Sequence, residues 1–201
     1  MRIDPELAEA GPAPAPREAF RAAMRNLAGG VSLITAGLGE SRSGFTATSV
    51  SSLSIDPPSL IVCINRASST LPVLLEQRAF GVNILSAAHR RLAERFSGRT
   101  GVAGAARFAG AEWTTLATGA PLLADALATI DCTFETSIDW HSHTIAIGRV
   151  AAVHVRPGAS PLLYWQGDYD RLAGARKPVD LTALGASEAA ARLLCQPAQA
   201  W

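Results

Sequence analysis

Ser68-Ser69-Thr70 stands directly before an apolar stretch of helical pattern, with Arg66 just upstream. A helix N-terminus offers free N–H groups and a partial positive charge, and hydroxyls add donors. With the Arg66 charge, these residues form a candidate phosphate site built without a P-loop. They read equally as a plain N-cap. Phe45-Thr46-Ala47-Thr48-Ser49 is the second candidate. A flat heterocycle such as an isoalloxazine presents alternating acceptors and donors along its pyrimidine edge. Backbone amides and small hydroxyls satisfy these only where side chains leave the backbone open, and Ala47 between Thr46 and Thr48 fits that need. A polar hairpin strand facing solvent is the competing reading. Trp140-His141-Ser142-His143 is the third. In an extended chain His141 and His143 share a side and would make a metal pair. His154 exists, but spacing places no third ligand, so no metal is assigned. One histidine beside a redox cofactor, donating a hydrogen bond or touching a nicotinamide, is the better use. His89 reads as a helix-surface or packing residue, and Tyr169 as packing over a turn at Gly167-Asp168.

The two hydroxyl patches belong to one stretch, GFTATSVSSLSIDPPSLIVCINRASST, over residues 44–70. It turns at Asp56-Pro57-Pro58, where prolines remove ladder donors. The stretch reads as a cradle for a large, flat, phosphorylated cofactor. No nucleophile elbow, catalytic carboxylate pair or metalloprotease motif accompanies it. Such a site fits chemistry carried by a cofactor, with the protein supplying binding and orientation.

At 201 residues, 48% hydrophobic and 17% charged, the chain suits one globular domain with tails. A net charge of +1 gives no electrostatic footprint for nucleic acid or anionic membrane. No apolar run approaches a membrane span, and residues 1–18 lack the pattern of a signal peptide, so a cytoplasmic protein is expected. Cys63, Cys132 and Cys195 are widely spaced, without a CxxC, and read as buried thiols rather than a disulfide or zinc framework.

Residues 1–16 are Ala/Pro-rich and read as a flexible arm. From Arg17, the spacing of Phe20, Met24 and Leu27 predicts a helix stopped by Gly29-Gly30. Strands are expected over 31–36, 45–53, 59–65 (covered on both sides), 80–85 and 162–166. Helices are expected over 71–77 and from Ser86 through Phe96, and one or two helical turns over 121–128. Phe108 and Trp113 are expected to anchor the Gly-rich segment 97–120. Residues 129–138 alternate, with Ile130, Cys132, Phe134 and Ile138 on one face and Asp131, Thr133, Glu135 and Ser137 on the other. A strand over 144–155 has a register shift near Gly148-Arg149. Residues 173–201 read as a tail with a short helix over Ser187–Cys195. Six or seven strands in hairpin order, with short helices, suggest a mainly β fold, a small barrel with helices at its ends. The absence of GxGxxG and GxxxxGK[ST] disfavours doubly wound α/β.

The chain resembles the flavin reductase-like family, the NAD(P)H:flavin reductase components of two-component flavin-dependent monooxygenases. It is especially similar to the branch serving 4-hydroxyphenylacetate hydroxylation and pyrimidine-ring utilisation. The resemblance is carried by FRAAMRNLAGGVSLIT, the 44–70 stretch, FGVNILS, LAERFSG, Arg107-Phe108, GAPLLADALATIDC, HTIAIGRV and PLLYWQGDYDRL, in order over residues 17–172. It implies a homodimeric split β-barrel of the FMN-binding type, binding FMN or FAD at the dimer interface. NADH or NADPH would reduce the flavin, which would then leave for a partner monooxygenase. By position, Thr46, Ala47, Thr48 and Ser49 would line the isoalloxazine, followed by Ser51 and Ser52. Cys63, Ile64 and Asn65 would run beneath the ring or ribityl chain, and Ser68, Ser69 and Thr70 would approach the phosphate. His143 would stand near the nicotinamide as the catalytic residue, with Tyr169 approaching the same pocket. Where many members have Gly-Asp-His, this chain has His141-Ser142-His143, and His141 in place of Gly would restrict the turn or alter the nicotinamide preference. A flavin carrier without turnover, or a flavin-dependent oxidase of the split-barrel type, are the competing functions.

Overall fold

A computed structural model of the chain describes residues 12–156 and 158–172. Apolar β-branched runs form an antiparallel sheet of seven strands, in the order β3 (Ser43–Ala47), β2 (Ser32–Ala36), β6 (Ala79–Ile84), β9 (Ala128–Trp140), β10 (His143–Val155), β5 (Pro58–Asn65) and β4 (Val50–Ile55). The helices are short: α1 (Arg17–Met24), α2 (Thr70–Gln77) and α3 (Arg90–Phe96). A second sheet joins β1 (Gly29–Gly30), β11 (Leu162–Trp165) and β12 (Asp168–Arg171), and β7 (Trp113–Thr114) pairs with β8 (Leu122–Leu123). No helix among the described residues is long and apolar enough to cross a membrane.

The spacing predicts one strand over 45–53, but the chain leaves the sheet at Thr48-Ser49. Its two halves, β3 and β4, occupy opposite edges. Three Cα steps separate Ala47 from Val50, at most roughly 11 Å. The sheet must therefore curl until its edges approach at this corner. It does not close into a barrel, because β3 and β4 are not hydrogen-bonded to each other.

One core fills the concave side of the sheet, built from Ile34, Val62, Ile64, Leu74, Phe80, Val82 and Phe134. A second, with Leu33, Leu85, Phe96, Phe108, Leu162 and Tyr169, lies under α3 and the loop after it. Phe108 and Trp113 anchor that loop as expected, with ring centroids 4.7 Å apart.

Several expectations are corrected. The helix ends at Met24, and Gly29-Gly30 is a strand paired with Leu163-Tyr164. Phe20, Met24 and Leu27 do form an apolar stripe, but at 62%, 47% and 66% exposure it is left uncovered by the described residues. Residues 121–128 contain a strand rather than helical turns, since Leu122 and Leu123 are both buried and Leu123 N–H donates to Asn83 Oδ1 at 2.6 Å. Strand β5 is buried on one face only. Asp131 is buried, not outward, because Thr118 caps it with both its amide and its hydroxyl. The last hairpin turns at Gln166-Gly167, one residue earlier than expected. The helix expected over Ser187–Cys195 lies outside the described residues.

The β9–β10 register shifts between Ile147 and Gly148, near the expected place. A Cβ on Gly148 would stand 2.4 Å from Phe80 Cζ. Gly148→Ala should therefore displace Phe80 and lower stability by about 1–3 kcal/mol. Urea unfolding reads this as a lower midpoint at unchanged slope, and an unchanged midpoint would contradict the packing.

Candidate functional site

Period-two alternation sorts β5 into two faces: Leu60, Val62 and Ile64 point into the core, whereas Ser59, Ile61, Cys63 and Asn65 face outward. Strand β10 pairs with it so that His143 lies opposite Asn65, Ile145 opposite Cys63 and Ile147 opposite Ile61. Ser51 stands opposite Ile61 on the other side, and Ser49 O accepts from Cys63 N–H at 3.3 Å. The outer face is thus an apolar strip of Ile61, Cys63, Ile145 and Ile147 with polar ends. It gathers Ser49, Ser51, Cys63, Asn65 and His143. Ile64 is fully buried on the opposite face, and Ser52 is exposed beyond the strip. Cys63 is half-buried rather than a core thiol.

At the corner, Thr46 is tied down by its hydroxyl, which donates to Ala93 O of α3 at 2.6 Å. Ala47 is buried, and Thr48 packs over Gly29, where a Cβ would meet it at 3.1 Å. Ser49 Oγ donates to Cys63 O at 3.0 Å. The amides of Thr48 and Ser49 donate to no backbone group among the described residues. Unspent N–H groups flanked by small side chains suit the acceptors of a flat heterocycle's edge.

The three hydroxyls before α2 separate by role. Thr70 is fully buried and its Oγ1 pairs with Ser43 Oγ at 2.9 Å, so this hydroxyl is spent inside the protein. Ser68 Oγ accepts from Thr70 N–H at 3.3 Å. Ser69, at the N-cap, is exposed, and neither its hydroxyl nor its amide is engaged among the described residues. The donors left for a phosphate are therefore the amide and hydroxyl of Ser69 and the hydroxyl proton of Ser68. Arg66 turns toward the β9–β10 hairpin, donating to His141 O at 3.4 Å and lying 3.9 Å from Asp139.

That hairpin has a two-residue loop, His141-Ser142, between the paired Trp140 and His143. His141 has φ +48°, with its ring edge-on to Trp140 at 5.0 Å. It is the only one of the two loop residues with positive φ, as in a type II′ turn, where this position favours glycine. The turn breaks the extended alternation on which the His141–His143 metal pair rested. Among the described residues no three His, Cys, Asp or Glu side chains come together as a metal site.

Tyr169 stands apart from the strip. It is buried in the second core, 5.4 Å from Tyr164, and burial pushes its phenol above the ordinary range. Its carbonyl accepts from Arg90, which also binds Asp168 at 2.8 Å, so the last hairpin is anchored to α3, the helix that holds Thr46. Sequence reasoning missed Arg90 and Ser43. Their partners are 79 and 27 residues away, and no local pattern encodes such distances. His89 is a packing residue, accepting Ser86 N–H at 3.1 Å and lying 3.1 Å from Asp125.

The fold is that of a mainly β protein with short helices, an open, curled antiparallel sheet carrying a bare amide corner, a free helix-cap serine and a histidine turn. The chain belongs to the flavin reductase family: the flavin reductase like domain matches residues 24–173. It is 40% identical over 161 residues to the FMN reductase (NADH) RutF of Stutzerimonas stutzeri, covering 80% of this chain and 91% of that one. It is 45% identical over 146 residues to FMN reductase (NADH) RutF 2 of Methylorubrum extorquens, covering 73% and 84%. Among solved structures it is similar to BorF, the flavin reductase component of a bacterial two-component tryptophan halogenase. There the TM-score is 0.73 at 30% identity, covering 80% of this chain and 100% of that one.

A left-handed conformation costs a non-glycine residue about 1–2 kcal/mol, partly offset by the chain entropy that glycine loses. His141→Gly should therefore stabilise the protein by about 0.5–1 kcal/mol, seen as a higher denaturation midpoint. A lower midpoint would show that His141 is held there by favourable contacts instead.

Proposed function

We infer that this chain is an NADH:flavin oxidoreductase that reduces FMN and releases it to a separate oxygenase. The observation that carries the site assignment is the pair of unspent amides at Thr48-Ser49, beside an outer strip that leads along β5 to the free hydroxyl of Ser69. In this reading the residues 46–49 hold the pyrimidine edge of the isoalloxazine. Ser51, Cys63 and Asn65 lie along the ring and ribityl chain, and Ser69, supported by Ser68 and Thr70, takes the phosphate. His143 borders the nicotinamide, and Tyr169, buried in the second core, braces the last hairpin against α3 rather than touching the strip.

The bound flavin supplies the hydride acceptor, and NADH the hydride. The protein's work is to bind and orient both rings and exclude water, which explains a site without paired acids and bases. The names of the curated relatives favour FMN and NADH over FAD and NADPH. The place of BorF as the reductase component of a two-component halogenase favours delivery of reduced flavin to a partner oxygenase.

A homodimer accompanies this reading. The strip Ile61, Cys63, Ile145 and Ile147 is half-exposed, and the α1 stripe is uncovered among the described residues. A second copy seated on them would bury apolar surface and enclose the flavin between subunits.

Purified protein should oxidise NADH only when flavin is present. Ser69→Ala should weaken FMN binding roughly 5- to 30-fold, the equivalent of about 1–2 kcal/mol for a hydrogen bond to a charged group. Unchanged affinity in a fluorescence titration would remove Ser69 from the site.

Thiol chemistry gives a second check. Burial pushes the Cys132 thiol up to about 12, so it stays protonated and unreactive in the folded protein. Cys63 should take up iodoacetamide, and saturating FMN should protect it. Peptide mapping that finds Cys63 labelled equally with and without FMN would contradict the placement.

A further inference from the structure

We propose that Ser142 is a positioning residue for His143: its hydroxyl sets the imidazole tautomer so that Nε2 faces outward as a constant hydrogen-bond donor. This rests on the reading of His143 as the residue that borders the dinucleotide. Ser142 Oγ lies 2.9 Å from His143 Nδ1, and among the described residues neither group has another hydrogen-bond partner.

The backbone carrying this hydroxyl is held on both sides. Arg66 N–H donates to Ser142 O at 3.0 Å, and its guanidinium Nη1 donates to His141 O at 3.4 Å. Asp139, 3.9 Å from the same guanidinium, accepts from Thr144 Oγ1 at 2.6 Å. Both ends of the turn are thereby fixed to the strands beneath it. The positive φ of His141 sets the direction in which Ser142 leaves the loop. The turn thus fixes the backbone that carries the hydroxyl beside the ring.

A neutral imidazole carries one N–H and one acceptor nitrogen, and a serine hydroxyl can donate or accept. The imidazole nitrogen is the stronger acceptor of the two, which favours the hydroxyl as donor to Nδ1. With Oγ–H directed at Nδ1, the ring proton resides on Nε2. When the ring gains a second proton, the hydroxyl rotates and accepts from Nδ1–H, and Nε2 remains a donor. His143 then offers an N–H in both protonation states. That suits an acceptor on the dinucleotide, such as a carboxamide or phosphate oxygen, and needs no proton transfer.

Tautomers are read directly from long-range proton–nitrogen spectra of the full ¹⁵N-labelled chain without cofactor, with His143 assigned from a His143→Gln spectrum. The wild type should show Nε2–H in excess at a pH where His143 is neutral. Ser142→Ala should shift the ring toward a mixture with Nδ1–H, and Ser142→Thr should restore the wild-type ratio. An unchanged ratio in Ser142→Ala overturns the proposal. In steady-state assays Ser142→Ala should raise the KM for NADH roughly 3- to 10-fold, with kcat within about twofold. A shifted tautomer with an unchanged KM would uphold the action of Ser142 on the ring and overturn the placement of His143 beside the dinucleotide.

Discussion

The register between β5 and β10 is the constraint on which the rest depends. It puts His143 opposite Asn65 and Cys63 opposite Ile145, with Leu60, Val62 and Ile64 turned into the core. A slip of one residue would exchange those faces, sending the polar residues inward and the apolar ones out. The hydrophobic effect enforces the register: Val62 and Ile64 are fully buried, each worth about 1.5–3 kcal/mol relative to exposure. The placement of the candidate ligand residues is thus a by-product of core packing.

The same sheet leaves its ligand corner unfinished. Strands β3 and β4 share two linking residues yet sit at opposite edges, so the chain must turn away where pairing would otherwise satisfy the amides. Thr48 and Ser49 are exposed, so water or a ligand can satisfy their amides. Here the neighbours are small or hydroxylated, and the amides stay open to an incoming acceptor. Around this opening the structure is tied tightly: Thr46 to α3, Thr70 to Ser43, and Arg66 across to the histidine turn. Rigid surroundings and free donors together are what preorganised binding requires.

Much of this was legible in the residues. Apolar runs and alternation marked β2, β5, β6, β9 and β10; only the family resemblance pointed to a turn at His141, which has positive φ. What stayed hidden depended on partners distant in sequence. Thr and Val continue across residues 46–50, so nothing local announced that the strand breaks there. Asp131 looked like an outward residue because its cap, Thr118, comes from a separate loop. Thr70 resembled Ser69 in sequence, yet Ser43 draws its hydroxyl inward. The Phe20 and Met24 stripe was read correctly as apolar, but none of the described residues covers it.

In the proposed function the Thr48-Ser49 corner is the place where the heterocycle would be held. A crystal structure of the complex with FMN tests this most directly. The account predicts the pyrimidine edge within hydrogen-bond distance of the Thr48 and Ser49 amides, with the phosphate on Ser69. An FMN bound with its ring away from residues 46–49, those amides still unpaired, would contradict it.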